Sequence, residues 1–182
     1  MAGTVGYTAI ETPIGSLLVA STEKGLCYIH FSADEEAVRS LADWCQKHGL
    51  QLPVPDDERN CQVVAELEQY FAGKRRDFTV ALDLYGTPFQ QTVWSALTHI
   101  PYGETRSYKD IAEFIGSSKA VRAIGGANNK NPIPLIIPCH RVIGANGSMV
   151  GYGGGLPIKE HLLRLEGVLS PTLEQISLFA AE

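Results

Sequence analysis

The stretch SYKDIAEFIGSSKAVRAIGGANNKNP, residues 107–132, decides how the second half of this chain is read. Tyr108 to Ile115 carries a helical apolar pattern, Gly116-Ser117-Ser118 makes a turn, and Lys119 to about Asn129 reads as a second helix. Two short helices joined by a three-residue turn with glycine form the helix-turn-helix pattern, although an ordinary helical hairpin is the commoner use of that spacing. Two features favour a nucleic-acid partner. The second helix carries Arg122 and Lys130 but otherwise small residues: Ala120, Ala123, Gly125, Gly126 and Ala127. Two glycines inside a helix cost about 1–2 kcal/mol in propensity, and a slim helix suits a narrow minor groove better than a bulky one.

Charge supports the same division. The 182 residues carry a net charge of −5, which alone argues against a polyanion. Residues 1–84 hold 7 Lys/Arg against 13 Asp/Glu, whereas residues 105–167 hold 8 against 4. Such an asymmetry between halves points to one half as the polyanion-binding one. The composition, 45% hydrophobic and 19% charged, is that of a globular protein. Neither a secretory leader nor a bilayer-long apolar run is evident, so a cytoplasmic location without a membrane partner is expected. The four cysteines form no CxxC pair, and Cys27 with His30 is half of a zinc site at most, so neither disulfides nor a metal is expected.

The first thirty residues read as a three-stranded β-meander broken at Thr12–Gly15 and at Glu23–Gly25. A helix over 34–47 buries Val38, Leu41, Ala42 and Cys45, with Asp34 as its cap. Pro53 and Pro55 indicate a loop, and a second helix over about 59–72 buries Val63, Val64, Leu67, Tyr70 and Phe71. A short strand-like run in 74–88 leads to a domain boundary near Gly86. Thr87, Pro88 and Gln90 then start a helix with a capping box, and Phe89, Val93, Trp94 and Leu97 form its apolar stripe. Cys27, Cys45 and Cys61 read as packing residues. The fold class is therefore a two-domain α+β protein: residues 1–84 an α/β domain, 85–168 a mainly helical domain with the helix-turn-helix, and 169–182 a peripheral tail.

IPCHRVIG, residues 137–144, is the candidate chemical centre. Pro132, Pro134 and Pro138 make the approach to Cys139 rigid and non-helical. A cysteine in an apolar run is ordinarily packing, but His140 and Arg141 adjoin this one, and such neighbours favour a thiolate. Adjacent side chains point apart, so His140 is expected to reach the thiol through a bridging water. Glu166, in a last helix over about 158–166, is the acid expected to orient the imidazole. These residue types leave acyl transfer by a Cys/His hydrolase and alkyl transfer to a thiolate both open. The helix-turn-helix upstream favours a DNA substrate. The loop GYGGG, residues 151–155, lacks the lysine of a phosphate loop and reads as a pocket wall.

IPCHRVIG, preceded by NPIPLI and followed by GYGGGLPIKEHLLRLEG, resembles the O6-alkylguanine-DNA alkyltransferase family, as do FQQTVWSALTHIPYGETRSY and KAVRAIGGANNKNP. The likeness is near-continuous over 85–167 and weaker over 1–84, where it implies a ribonuclease H-like fold. It implies irreversible transfer of an alkyl group from guanine O6, and by extension thymine O4, in double-stranded DNA to Cys139, once per molecule and without a cofactor. His140 would take the thiol proton, Glu166 would hold His140, Asn131 would buttress the turn, and Tyr108 would donate a proton to the purine. Arg122 would fill the base stack when the nucleotide flips out, with Ser107, Lys119, Ala123, Gly126, Ala127 and Asn128 against the DNA. Val142, Tyr152, Gly153, Gly154 and Lys159 would join Tyr108 around the flipped base. A monomer that can assemble in several copies along DNA is expected. Two departures stand out: Gly153 replaces a serine of the vertebrate pattern, and the vertebrate zinc-ligand pattern is missing. Lesion-binding relatives that do not repair lack the acceptor cysteine, which is present here.

Overall fold

A computed structural model describes residues 3–170; the rest of the expected tail, 171–182, lies outside the described residues. Strands β1 (Gly6–Thr12), β2 (Gly15–Ser21) and β3 (Leu26–His30) form the antiparallel meander, with Gly15 at φ +102° closing the first turn. The sheet is larger than expected. A two-residue strand β4 (Val54–Pro55) adds in parallel beside β1, giving the order β3-β2-β1-β4. Its prolines argue for a loop, but an edge strand needs ladder donors on one side only. Val54 and Asp56 supply them, to the carbonyls of Val5 and Tyr7 at 3.0 and 2.9 Å. The strand-like run of 74–88 shrinks to one bridge, with Leu26 between Ala81 and Asp83.

Helix α1 (Glu35–Lys47) starts on the Asp34 carboxylate, which accepts from Ala37 N at 2.8 Å. Helix α2 (Asp57–Phe71) begins two residues earlier than its apolar pattern suggests, because Asp56 caps it by accepting from Arg59 N. Its core face holds Asn60 and Glu66 together with Val63, Leu67 and Tyr70. Asn60 ties α2 to the sheet by donating to the Gly6 carbonyl and accepting from Ser21 Oγ at 2.8 Å. Cys61 is exposed rather than packed, because the polar Asn60 occupies the core-facing place next to it.

Helix α3 (Pro88–Leu97) has the expected capping box between Thr87 and Gln90. Phe89 in its first turn stays exposed, whereas Val93, Trp94 and Leu97 are buried. The helix-turn-helix follows as α4 (Tyr108–Phe114), capped by Ser107, and α5 (Val121–Asn129), which starts two residues later than expected. A short parallel pairing joins β5 (Arg106–Ser107) to β6 (Val142–Ile143). The last helix, α6 (Leu156–Leu165), starts at Gly155, whose φ of +90° suits glycine, and its C-cap is Glu166. Buried residues from both halves form one core, in which Leu17, Leu26 and Tyr70 meet Trp94, Ile124, Ile137 and Leu162. Trp94 also donates through its indole N–H to the Ala127 carbonyl at 2.9 Å, fixing α5 against α3.

Candidate active site

The turn that presents Cys139 is built by side-chain hydrogen bonds. Asn131 Nδ2 donates to the Ile137 carbonyl at 2.8 Å, and Asn131 Oδ1 accepts from Ile133 N at 2.9 Å. Between those anchors Leu135 is buried with φ +75°, a left-handed conformation that a branched side chain adopts at a cost of about 1–3 kcal/mol. Asn131 and the packing of Leu135 hold that conformation against its cost. The chain then enters a single 3-10 turn, Cys139–Arg141, whose three residues are all buried.

Glu166 is the hub of this interior. Its Oε1 accepts from His140 Nε2 at 2.7 Å, Tyr70 Oη at 2.7 Å and Arg141 Nη2 at 3.0 Å. Its Oε2 accepts from Arg141 Nε at 2.8 Å and, more weakly, from Gly103 N at 3.4 Å. Although burial opposes the charge, the donations from His140 and Arg141 lower the carboxyl to about 2. Glu166 is therefore an ionised acceptor, so His140 donates from Nε2–H and Nδ1 keeps its lone pair. Among the described residues that buried Nδ1 has no hydrogen-bond partner. Burial lowers the imidazole below its ordinary value even though Glu166 pulls the other way. His140 is neutral near pH 7 and can accept a proton.

The neighbours of Cys139 in sequence favour a thiolate, but its burial works against one. Burial pushes its thiol up to about 11, and the Asn131 amide and Lys159 charge recover only part of that shift. Arg141 does not help because its guanidinium is turned to Glu166 and to the Ile100 carbonyl at 2.6 Å. The resting group is a thiol, which becomes a nucleophile only by giving up its proton. Burial and the nearby Cys139 likewise raise the phenol of Tyr108, at the start of α4, so it stays a proton donor.

Cys139 opens on a pocket of about 320 Å³. Tyr152, Gly153 and Gly154 form one wall, and Asn128, Asn131 and Pro134 another. His30 at the end of β3 and Phe31 just past it also line the pocket, with Phe31 against Tyr152 at a ring-centroid distance of 5.5 Å, a contribution of the N-terminal half that the sequence did not suggest. Tyr108, Val142 and Lys159 are not among the residues that line it. Lys159 is buried and its ammonium is spent on the carbonyls of Val142 and Val150. Of the residues expected against DNA, Lys119, Arg122, Ala123 and Gly126 are exposed, and Ser107 is partly so. Ala127 and Asn128 are buried, because that side of α5 packs on Trp94 and the pocket. Tyr70 and Arg141 were the members of the Glu166 network that sequence reasoning missed.

Residues 88–168 match the family model described as the DNA-binding domain of 6-O-methylguanine DNA methyltransferase, and residues 5–84 match that of its ribonuclease-like domain. The chain belongs to the 6-O-methylguanine DNA methyltransferase family. It is 48% identical over 161 residues to the methylated-DNA--protein-cysteine methyltransferase of Methanosarcina acetivorans, covering 88% of this chain and 97% of that protein. The constitutive enzyme of that name from Bacillus subtilis is 44% identical, over 89% of this chain and 95% of its own length. The crystal structure of Mycobacterium tuberculosis OGT in complex with DNA superposes with a TM-score of 0.77 at 43% identity, covering 89% of this chain and 93% of that one. Among the described residues no helix is long and apolar enough to cross a membrane.

The burial of Cys139 sets a chemical expectation that separates it from the exposed Cys61. A small thiol-alkylating reagent at pH 8 should modify Cys61 first. Cys139 labelling should accelerate only as pH climbs toward about 11. Peptide mapping by mass spectrometry checks this, and preferential labelling of Cys139 at neutral pH would contradict it.

Proposed function

We propose that this protein repairs duplex DNA by taking a methyl or other alkyl group from guanine O6 onto Cys139 Sγ, irreversibly and once per molecule. The observation that carries the reading is the buried His140, whose Nε2 is spent on Glu166 while Nδ1 stays open in the turn that presents Cys139. In the reaction the thiol proton passes to His140 Nδ1 through a bridging water. Sulfur attacks the alkyl carbon, the C–O6 bond breaks, and the purine leaves as a neutral base by taking a proton from Tyr108. His140 then returns the thiol's proton through solvent to the Tyr108 phenolate, so the net change is an S–alkyl bond on the protein and one proton gained by guanine. Waiting until the substrate is seated suits a thiol held at about 11, because a standing thiolate would react with any electrophile that entered.

O6 is out of reach inside a duplex, so the nucleotide is flipped into the pocket, at a cost of a few kcal/mol. Arg122, exposed on α5, fills the gap in the stack. Gly126 supports this use of α5. An added Cβ there meets nothing within 4 Å, so the protein's own packing gives no reason for glycine. A helical glycine costs about 1 kcal/mol against alanine, and close approach of a DNA backbone accounts for keeping it. Ser107, Lys119 and Ala123 lie along the same contact, whereas Asn128 serves the pocket. Within the pocket Tyr152, Gly153 and Gly154 enclose the base, while Lys159 ties together the carbonyls of Val142 and Val150 at the start of that loop. The same chemistry extends to O4 of alkylated thymine. The protein works in the cytoplasm as a monomer without a cofactor, and several copies can line up on one duplex.

Incubation with duplex DNA carrying O6-methylguanine should add the mass of one methyl per protein, located on the Cys139 peptide. No gain, or continued turnover with a free thiol recovered, would overturn the reading. Gly126→Ala tests the DNA face. It should stabilise the fold by about 0.5–1 kcal/mol yet weaken duplex binding, and an unchanged affinity in a fluorescence titration would remove α5 from the interface.

A further inference from the structure

We propose that Tyr70, from the N-terminal half, is a positioning residue for alkyl transfer: its hydroxyl fixes the Glu166 carboxylate that holds His140 and tempers that carboxylate's pull on the imidazole. The inference rests on the functional reading above and assigns it a participant from outside the alkyltransferase half. Tyr70 Oη and His140 Nε2 both donate to one oxygen, Glu166 Oε1, each at 2.7 Å, although Tyr70 and Glu166 are 96 residues apart in the chain. All three side chains are buried, so none of these bonds competes with bulk water.

The ring of Tyr70 is itself held firmly. It packs against Phe71, Phe78 and Tyr102 with centroids 5.4, 5.4 and 6.2 Å away. Tyr102 in turn donates to the Leu165 carbonyl at 3.0 Å and lies under the Arg141 guanidinium. The hydroxyl thus arrives on Glu166 Oε1 from a rigid aromatic frame, a third donor beside His140 Nε2 and Arg141 Nη2. Two consequences follow. The carboxylate cannot swing away from the imidazole when Nδ1 takes up the thiol proton. A strong neutral donor on Oε1 also withdraws charge from the oxygen facing Nε2–H, so the imidazolium is stabilised less than it would be by a bare carboxylate.

The groups that face His140 set the sign of a test. They are Glu166 and Lys159 from the α6 segment, Cys139 and Arg141 on its own turn, and Tyr70 from α2, acting through Glu166. Removing the Tyr70 hydroxyl leaves Oε1 more basic, so His140 holds a proton to higher pH and is unavailable as a base over a wider acidic range. Strengthening the hydroxyl as a donor does the reverse.

Single-turnover methyl transfer from O6-methylguanine duplex, measured between about pH 5 and 9, reads this directly. Tyr70→Phe should move the acidic limb of the rate profile to higher pH. It should also lower the plateau about two- to tenfold, the span of one ordinary hydrogen bond, with duplex affinity unchanged. Site-specific 3-fluorotyrosine at position 70, a stronger donor that keeps the hydroxyl, should move the limb to lower pH. It decides by itself if Tyr70→Phe does not fold. Limbs that coincide with the parent's would overturn the role of Tyr70 alone, since packing does not move a titration. A parent protein that transfers no methyl would overturn the functional reading and this inference with it.

Discussion

The structure depends on keeping one carboxylate ionised inside its core. Glu166 sits at the C-cap of the last helix, where its own backbone is fixed by N–H donation to Leu162 O. Its side chain collects donors from α2, from the Gly103 turn and from the Cys139–Arg141 turn. Removing one partner of such a buried network commonly costs several kcal/mol, because it strands a charge in low dielectric. The two sequence halves are therefore joined by a polar link as well as by their shared apolar core. The imidazole is held in one tautomer by the same link.

Around that link the protein keeps the reacting groups neutral until they are needed. Burial raises the Cys139 thiol to about 11, raises Tyr108 and lowers His140. Each group is thus in the uncharged form that low dielectric favours, and each is one proton transfer from its reactive form. Such a site gives up standing nucleophilicity in return for selectivity, which suits the proposed single reaction per molecule. The strained Leu135 and the Asn131 bonds belong to the same design, since they hold the buried Cys139 where the core meets the pocket.

What could be read from sequence was whatever short spacing encodes. The Thr87–Gln90 capping box, the Asp34 cap and the two helices around Gly116 are local, and they stand close to where the residues put them. Strand β4 was missed because its pairing with β1 spans nearly fifty residues and its prolines read as a loop. Cys61 was misplaced because Asn60 and Glu66 occupy the core side of α2, a polar pair that no apolar period reveals. At the site, Cys139, His140, Glu166 and Asn131 were legible through their motif. Tyr70 looked like one more aromatic on an apolar stripe, and only the fold brings its hydroxyl to Glu166. Arg141 was read as a neighbour of the thiol, but the 3-10 turn sends its guanidinium to the carboxylate. The family resemblance placed Asn128 against DNA, whereas the structure buries it on the pocket side of α5.

The most direct measurement is the tautomer of His140 in the resting protein. Long-range proton–nitrogen correlation on histidine-labelled protein near neutral pH should show a protonated, pyrrole-type Nε2 and a bare, pyridine-type Nδ1. That pattern is required if Glu166 fixes the ring and Nδ1 is the base for Cys139. A proton on Nδ1, or both nitrogens protonated at neutral pH, would contradict it.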